Sequence, residues 1–283
     1  MNNVILLSFI ALAVIAAVSA IILYFVAKKF RVDEDSRIDV IADLLPGANC
    51  GGCGFAGCRN FAEAIVKQGN LEGLLCPVGG SACMETIAPV LGVEASIEEP
   101  KVAVVRCSGN KVNSPRNVDF EGFQSCRFSY NLYTGVTGCP HGCVGLGDCT
   151  RSCQFDAIYI NEETGLPEVN DDKCVACGAC VKACPRGVIQ LRYKGKKDRR
   201  IFVSCINKEK GALGKKHCSV VCIGCGKCQK VCEFGAVTVQ NNLAYIDYTK
   251  CRLCRKCASE CPTGAIHELN FPARKVVEET NER

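Results

Sequence analysis

Cys174-Val175-Ala176-Cys177-Gly178-Ala179-Cys180-Val181-Lys182-Ala183-Cys184-Pro185 decides how the rest of the chain is read. The spacing is C-x2-C-x2-C-x3-C-P. Three closely spaced thiolates can wrap one metal–sulfide core, and the fourth points away to a second core. The run recurs at Cys251, Cys254, Cys257 and Cys261-Pro262, and at Cys222, Cys225, Cys228 and Cys232 without the proline. The chain holds 25 cysteines in 283 residues. Disulfides, zinc or iron–sulfur clusters can account for so many, and spacing and compartment decide among them.

Comparing the chain with itself reveals a duplication. Phe123-x-Ser125-Cys126 matches Phe202-x-Ser204-Cys205 at an offset of 79. The offset holds for Cys139 and Cys218, Cys143 and Cys222, Cys149 and Cys228, and Cys153 and Cys232. After a two-residue length change, Cys174, Cys177, Cys180 and Cys184 match Cys251, Cys254, Cys257 and Cys261. Each repeat is similar to a bacterial two-cluster ferredoxin, in which the fourth cysteine of a run crosses to the other cluster. The cross-over predicts three ligand sets: Cys153, Cys174, Cys177 and Cys180; Cys222, Cys225, Cys228 and Cys261; and Cys232, Cys251, Cys254 and Cys257. In a fourth set, Leu146 stands where the second repeat has Cys225. Cys139 is expected to supply the missing ligand beside Cys143, Cys149 and Cys184; the alternative is a three-cysteine [3Fe–4S] site. A row of zinc sites is the bland reading of the same cysteines. The short β-branched runs Ala157–Ile160 and Ala236–Val239, the latter paired with Leu243–Ile246 across Asn241-Asn242, suit a small ferredoxin barrel.

Upstream, Asn49-Cys50-Gly51-Gly52-Cys53-Gly54-Phe55-Ala56-Gly57-Cys58 is followed by Cys76. Cys50, Cys53, Cys58 and Cys76 are expected to hold a further [4Fe–4S] cluster, with glycines letting backbone N–H groups approach its sulfurs. A helix over about 59–67 carries the chain between them, after an amphipathic helix over 37–45. A zinc knuckle is the alternative. The embedded G-x-G-x-x-G has no preceding strand and is coincidental. Cys83 reads as a buried free thiol. Cys107, Cys126, Cys205 and Cys218 remain, a sixth cluster set if they converge. Five [4Fe–4S] clusters are therefore expected, and six if that set is real.

Val4–Ala27 carries no charge. At about 1.5 Å per residue it spans roughly 36 Å, enough for a hydrocarbon core of about 30 Å. Lys28, Lys29 and Arg31 follow, so the bulk of the chain is expected on the cytoplasmic side of the cell (inner) membrane, single-pass and in contact with lipid. Ala17-Val18-Ser19-Ala20 resembles a signal-peptidase site, but a basic n-region is missing and apolar residues continue beyond it. The reducing cytoplasm then argues against disulfides.

His141, His217 and His267 are the only histidines, too few for zinc fingers, and they read as solvated or packed. A net charge of +5 gives no case for nucleic acid. P-loop, nucleophile-elbow and H-E-x-x-H motifs are absent, so no bond-breaking catalytic residues are expected. Lys194–Arg200 reads as a solvated basic stretch or as a docking patch for an acidic redox carrier.

The expected fold class is α+β: a transmembrane anchor (1–31), a small α-rich 4Fe–4S module (32–95), tandem two-cluster ferredoxin repeats (96–200 and 201–272) and a flexible tail (273–283). Anchor, Cys50 loop and ferredoxin runs together resemble the B subunit of the Rnf complex, the ion-translocating ferredoxin:NAD+ oxidoreductase. The resemblance implies electron transfer from soluble reduced ferredoxin to the partner subunits of that complex, A, C, D, E and G. It also implies coupling of that flow to sodium or proton movement. A cluster subunit serving another membrane oxidoreductase, such as a hydrogenase, is the alternative; a zinc scaffold is a third and predicts a colourless protein.

Overall fold

The computed structural model describes residues 2–29, 35–94, 99–118, 121–132 and 137–273. Arg31, the expected boundaries at 31/32 and 95/96, and the tail beyond Ala273 lie outside these residues. Helix α1 (Asn2–Lys29) is apolar almost throughout. Its Phe9–Lys29 stretch, 21 residues of mean hydropathy 2.8, is long and apolar enough to cross a membrane. Among the described residues nothing covers it: Leu12 and Leu23 are 64% and 67% exposed.

Three helices make the next unit: α2 (Arg37–Leu44), α3 (Cys58–Gln68) and α4 (Gly80–Leu91). Phe61 and Ile65, one turn apart on α3, are fully buried against Ile41 of α2 and Met84 and Ile87 of α4. Gly69, at φ 69°, ends α3 in the left-handed conformation that glycine adopts without strain. Sequence reading anticipated α2 and α3 and missed α4, which follows Pro77 and Gly79, residues that usually mark loops.

The rest of the described chain forms two units with the same plan. In the first, β1 (Lys101–Val105) pairs antiparallel with β4 (Ile189–Tyr193), Ala103 opposite Leu191. Between them lie α5 (Cys126–Leu132), α6 (Asp148–Arg151), the hairpin β2 (Ile158–Ile160) and β3 (Pro167–Val169), and α7 (Ala179–Ala183). In the second, β5 (Arg200–Val203) pairs with β8 (Ile266–Leu269). These enclose α8 (Gly211–His217), α9 (Lys227–Lys230), the hairpin β6 (Val237–Gln240) and β7 (Leu243–Ile246), and α10 (Lys256–Ser259). Asn241 and Asn242, at φ 49° and 60°, make the anticipated tight turn.

Two expectations are corrected. The described strands form separate two-stranded ribbons, not a barrel. They are too short to close, and cysteines occupy the interior between them. The ungapped offset of 79 also fails before Cys139. Cys205 lies two residues beyond β5, and its spatial counterpart is Cys107, two residues beyond β1. Cys126 instead opens α5, in the longer connection of the first repeat.

The basic stretch over 194–200 is only partly a surface. Arg200 is 4% exposed and paired with Asp171, and Arg199 lies 5.6 Å from the centre of the Phe271 ring. Lys196 and Lys197 remain exposed.

Candidate iron–sulfur sites

The Cys50 loop is organised by Asn49. Its Oδ1 accepts the Cys58 N–H at 2.8 Å and its Nδ2 donates to the Gly47 carbonyl at 3.1 Å. Asn49 thus caps α3 from nine residues away, and its φ of 45° is one that asparagine tolerates better than most residues. Cys58 begins the helix, and the chain returns after it with Cys76, whose Sγ accepts the Gly79 N–H at 3.3 Å. Burial raises the Cys76 thiol, and thiolates at Cys58 and Cys53 raise it further, which places these three side by side. Asn49→Ala removes the cap and is expected to lower unfolding stability by about 1 kcal/mol, read as a reduced denaturant midpoint. Cys83 lies near this group as well: its thiol donates to the Leu44 carbonyl at 3.5 Å, and burial, followed by the charges of Cys76 and Cys58, pushes it up to about 11.

In the repeats, the third cysteine of each run occupies the second position of a one-turn helix. Gly147, Gly178 and Gly226, at φ 75–78°, precede Cys149, Cys180 and Cys228 by two residues. Arg255, at φ 68°, takes that place before Cys257. It is held there by Glu268 at 2.6 Å and by the Phe271 ring. Four identical turns thus present four cysteines inward.

Cys153, Cys174, Cys177 and Cys180 line one hollow of about 350 Å³, beside Ala103, Ile158 and Leu191. Cys222, Cys225, Cys228 and Cys261 line another of about 350 Å³. Burial pushes Cys257 up to about 12, followed by the charges of Cys251, Cys254, Cys228 and Cys232, so it lies near the other members of the last expected set and near Cys228 of the neighbouring one. A third hollow, of about 360 Å³, holds Cys143, Cys149 and Cys184 with Cys126, not with Cys139. Cys126 accepts the backbone N–H groups of Asp148 and Leu146, so its sulfur sits on the loop that lacks a cysteine at Leu146. Asp148 holds α5 in place by accepting the Arg127 N–H and the Ser125 hydroxyl at 3.0 Å each. The structure thus places Cys126, where Cys139 was expected, beside Cys143, Cys149 and Cys184, and Cys139, where Cys126 was expected, beside Cys107, Cys205 and Cys218. The spacing misled at Cys126: the ungapped offset aligned it with Cys205, whereas its helix belongs to the longer connection of the first repeat.

Cys107, Cys139, Cys205 and Cys218 line a fourth hollow, of about 370 Å³, between the two repeats. Thiols and apolar groups make most of these walls, with Asp148 and Arg186 added in the third hollow and Ser108, Ser114, Thr137, Ser204 and Asn207 in the fourth. Among the described residues no three His, Cys, Asp or Glu side chains close around one point as a single ion requires. A zinc ion needs sulfurs about 2.3 Å from one centre; a hollow lined by four spaced thiols suits a larger metal–sulfide core. Backbone donors reach sulfur at Cys153 (Ala157 N–H, 3.4 Å), Cys222 (Ala244 N–H, 3.4 Å) and Cys107 (Cys143 N–H, 3.3 Å). Such bonds tune cluster potential. No described histidine lines any of these hollows; His267 packs edge-on against Phe202.

These features define a multi-cluster iron–sulfur protein of the ferredoxin type. Family models agree: an Fe–S cluster family matches residues 45–77, a 4Fe–4S dicluster domain matches 141–188 and 221–265, and a 4Fe–4S double cluster binding domain matches 173–235. Over 266 residues the chain is 43% identical to the B subunit of the Na+-translocating ferredoxin:NAD+ oxidoreductase complex of Acetobacterium woodii, covering 94% of this chain and 78% of that one. It is 40% identical to the B subunit of the proton-translocating complex of Clostridium ljungdahlii, covering 95% and 94%. It is 41% identical to the B subunit of the ion-translocating oxidoreductase complex of Methanosarcina acetivorans, covering 94% and 99%. The chain belongs to the family of B subunits of the Rnf ion-translocating oxidoreductase complexes, and it is an iron–sulfur electron-transfer subunit.

Proposed function

We propose that this chain takes electrons from reduced ferredoxin and relays them through [4Fe–4S] clusters to the other subunits of a membrane-bound Rnf complex, A, C, D, E and G. One observation carries the reading: three sets of four cysteines each line a separate hollow, with the fourth ligand crossing between runs, and the two remaining sets rest on the same kind of spacing. Five sets follow: Cys50, Cys53, Cys58 and Cys76; Cys153, Cys174, Cys177 and Cys180; Cys126, Cys143, Cys149 and Cys184; Cys222, Cys225, Cys228 and Cys261; and Cys232, Cys251, Cys254 and Cys257. Clusters bound there supply one-electron storage; the protein supplies spacing, dryness and hydrogen bonds to sulfur. Neighbouring sets adjoin: the charge of Cys180 raises the Cys149 thiol, and the charge of Cys228 raises the Cys257 thiol. Burial of these thiols means that cluster assembly releases protons.

The chain divides on this reading into an anchor, the helical module and two ferredoxin repeats, at the boundaries expected from sequence. Lys28 and Lys29 at the end of α1 support a single span with the clusters on the cytoplasmic side. Cys225 and Cys254 are exposed, which favours the second repeat as the end met by a soluble carrier. Anaerobic reconstitution tests the proposal. The expected product is brown, has iron and sulfide in equal amounts, and is reduced by ferredoxin with EPR signals of several interacting clusters. An iron-free, EPR-silent protein after dithionite would overturn it.

Arg192 tunes one end of this relay. It is 1% exposed, donates to the Ile246 carbonyl at 3.0 Å, and lies 5.2 and 5.4 Å from the ring centres of Tyr245 and Tyr248. Its Nε and Nη2 have no hydrogen-bond partner among the described residues. Burial lowers its pKa, offset in part by nearby Tyr245, Tyr248 and Cys251. A buried cation stabilises the added electron on a neighbouring cluster. Arg192→Gln is therefore expected to lower the potential of the Cys251 cluster, by on the order of 50 mV for a unit charge at an effective dielectric of about 20. An EPR-monitored redox titration reads it.

A further inference from the structure

We infer that Cys107, Cys139, Cys205 and Cys218 hold a sixth [4Fe–4S] cluster at the junction of the two repeats; the inference rests on the relay proposed above. The four line a single hollow of about 370 Å³, matching those of the other sets. Cys139, Cys205 and Cys218 are 7%, 9% and 8% exposed.

The site is symmetric between the repeats. Cys107 and Cys205 each lie two residues beyond an entry strand, β1 or β5. Cys139 and Cys218 each lie four residues before the first cysteine of a run. Donors follow the same symmetry. The Cys143 N–H reaches Cys107 Sγ at 3.3 Å, and the Cys222 N–H bonds to Cys205. Gly109 N–H serves Cys107, and Asn207 N–H serves Cys205 at 3.5 Å. A cluster of four thiolates is anionic, so this ring of donors aimed at sulfur is the environment it needs. Close quarters support the same reading: a Cβ on Gly109 would lie 3.5 Å from Cys107 Sγ and 3.8 Å from Cys218 Sγ. Asn207 adds a side-chain donor 3.6 Å from Cys139 Sγ.

Two half-buried cations face the junction. Arg186 donates to the carbonyls of Cys139 and Gly142 at 2.9 and 2.7 Å. Arg106 donates to those of Val203 and Cys205 at 3.2 and 3.3 Å. Both offset the charge of an anionic core. A disulfide or free-thiol role accounts for neither the donors nor the hollow.

The consequence is continuity. Cys143 belongs to a cluster set of the first repeat and Cys222 to one of the second, and each backbone N–H touches a sulfur of the junction. A cluster there connects two relays that would otherwise end back to back. The electron enters and leaves without a change in ligands, so no further reactant is needed.

Iron and sulfide are counted per full-length chain after anaerobic reconstitution, for the wild type, Cys107→Ser/Cys218→Ser and the control Cys83→Ser. The expected result is about 24 iron atoms in the wild type and the control and about 20 in the double variant, four per cluster. Native mass spectrometry of the holo-chains gives the same comparison independently of folding yield. About 20 iron atoms in both wild type and double variant would overturn the sixth site and leave the five-cluster relay standing. An iron-free wild type would instead remove the relay reading itself.

Discussion

Cys126→Ser is expected to turn one four-iron centre of the first repeat into a three-iron centre. Cys126 opens α5 and places its sulfur on the loop at Leu146, where the second repeat has Cys225. Without it, Cys143, Cys149 and Cys184 remain around the same hollow. Three thiolates support a [3Fe–4S] core, so the chain should lose about one iron atom and gain a new EPR signal in the oxidised state. Adding Leu146→Cys to this variant moves a thiol to the position used by the other repeat and is expected to restore the four-iron spectrum. Cys139→Ser should leave this centre unchanged. If Cys139→Ser produced the three-iron signal and Cys126→Ser did not, the assignment would fail.

Gly52→Val is expected to slow electron passage between the helical module and the first repeat several-fold, because tunnelling between clusters weakens with each added ångström of separation. A Cβ at Gly52 would lie 2.9 Å from both Cα and Cβ of Cys177 and 2.8 Å from Pro77. Backbone on that side cannot yield as a flexible side chain would, so the Cys50 loop must withdraw. The charge of Cys50 is felt at Cys177, so this contact joins the module to the first repeat. Cluster content, read by iron count and absorbance, should stay at the wild-type value while the rate of reduction across the contact falls in stopped-flow. An unchanged rate would show that electrons use another route.

Much of the relay was legible because the size of a metal–sulfide core fixes how closely its ligands must follow one another. The runs beginning at Cys174, Cys222 and Cys251 therefore revealed their partners, and the hairpin across Asn241-Asn242 announced itself by its turn residues. Cys126 and Cys139 did not. An ungapped match put Cys126 opposite Cys205, whereas the fold puts Cys107 there. The resemblance of Phe123-x-Ser125-Cys126 to Phe202-x-Ser204-Cys205 is local, and the longer connection after β1 hides the true correspondence. Helix α4 escaped for a similar reason: Gly79 and Pro89 suppress a helical reading that the packing of Met84 and Ile87 overrides. Tertiary contacts also took Arg200 from the surface into an ion pair that no local pattern signals.

The pairing of β1 with β4 and of β5 with β8 brings the first and last strands of each repeat side by side. A whole repeat can thus be spliced in or out with little disturbance to the backbone of its neighbour. The thiols between the repeats do not share that freedom. A version shortened to end after Tyr193 would keep Cys107 and Cys139 as an orphaned couple, newly open to water and to oxidants. Any natural or engineered change in repeat number has to remove or replace those two residues as well.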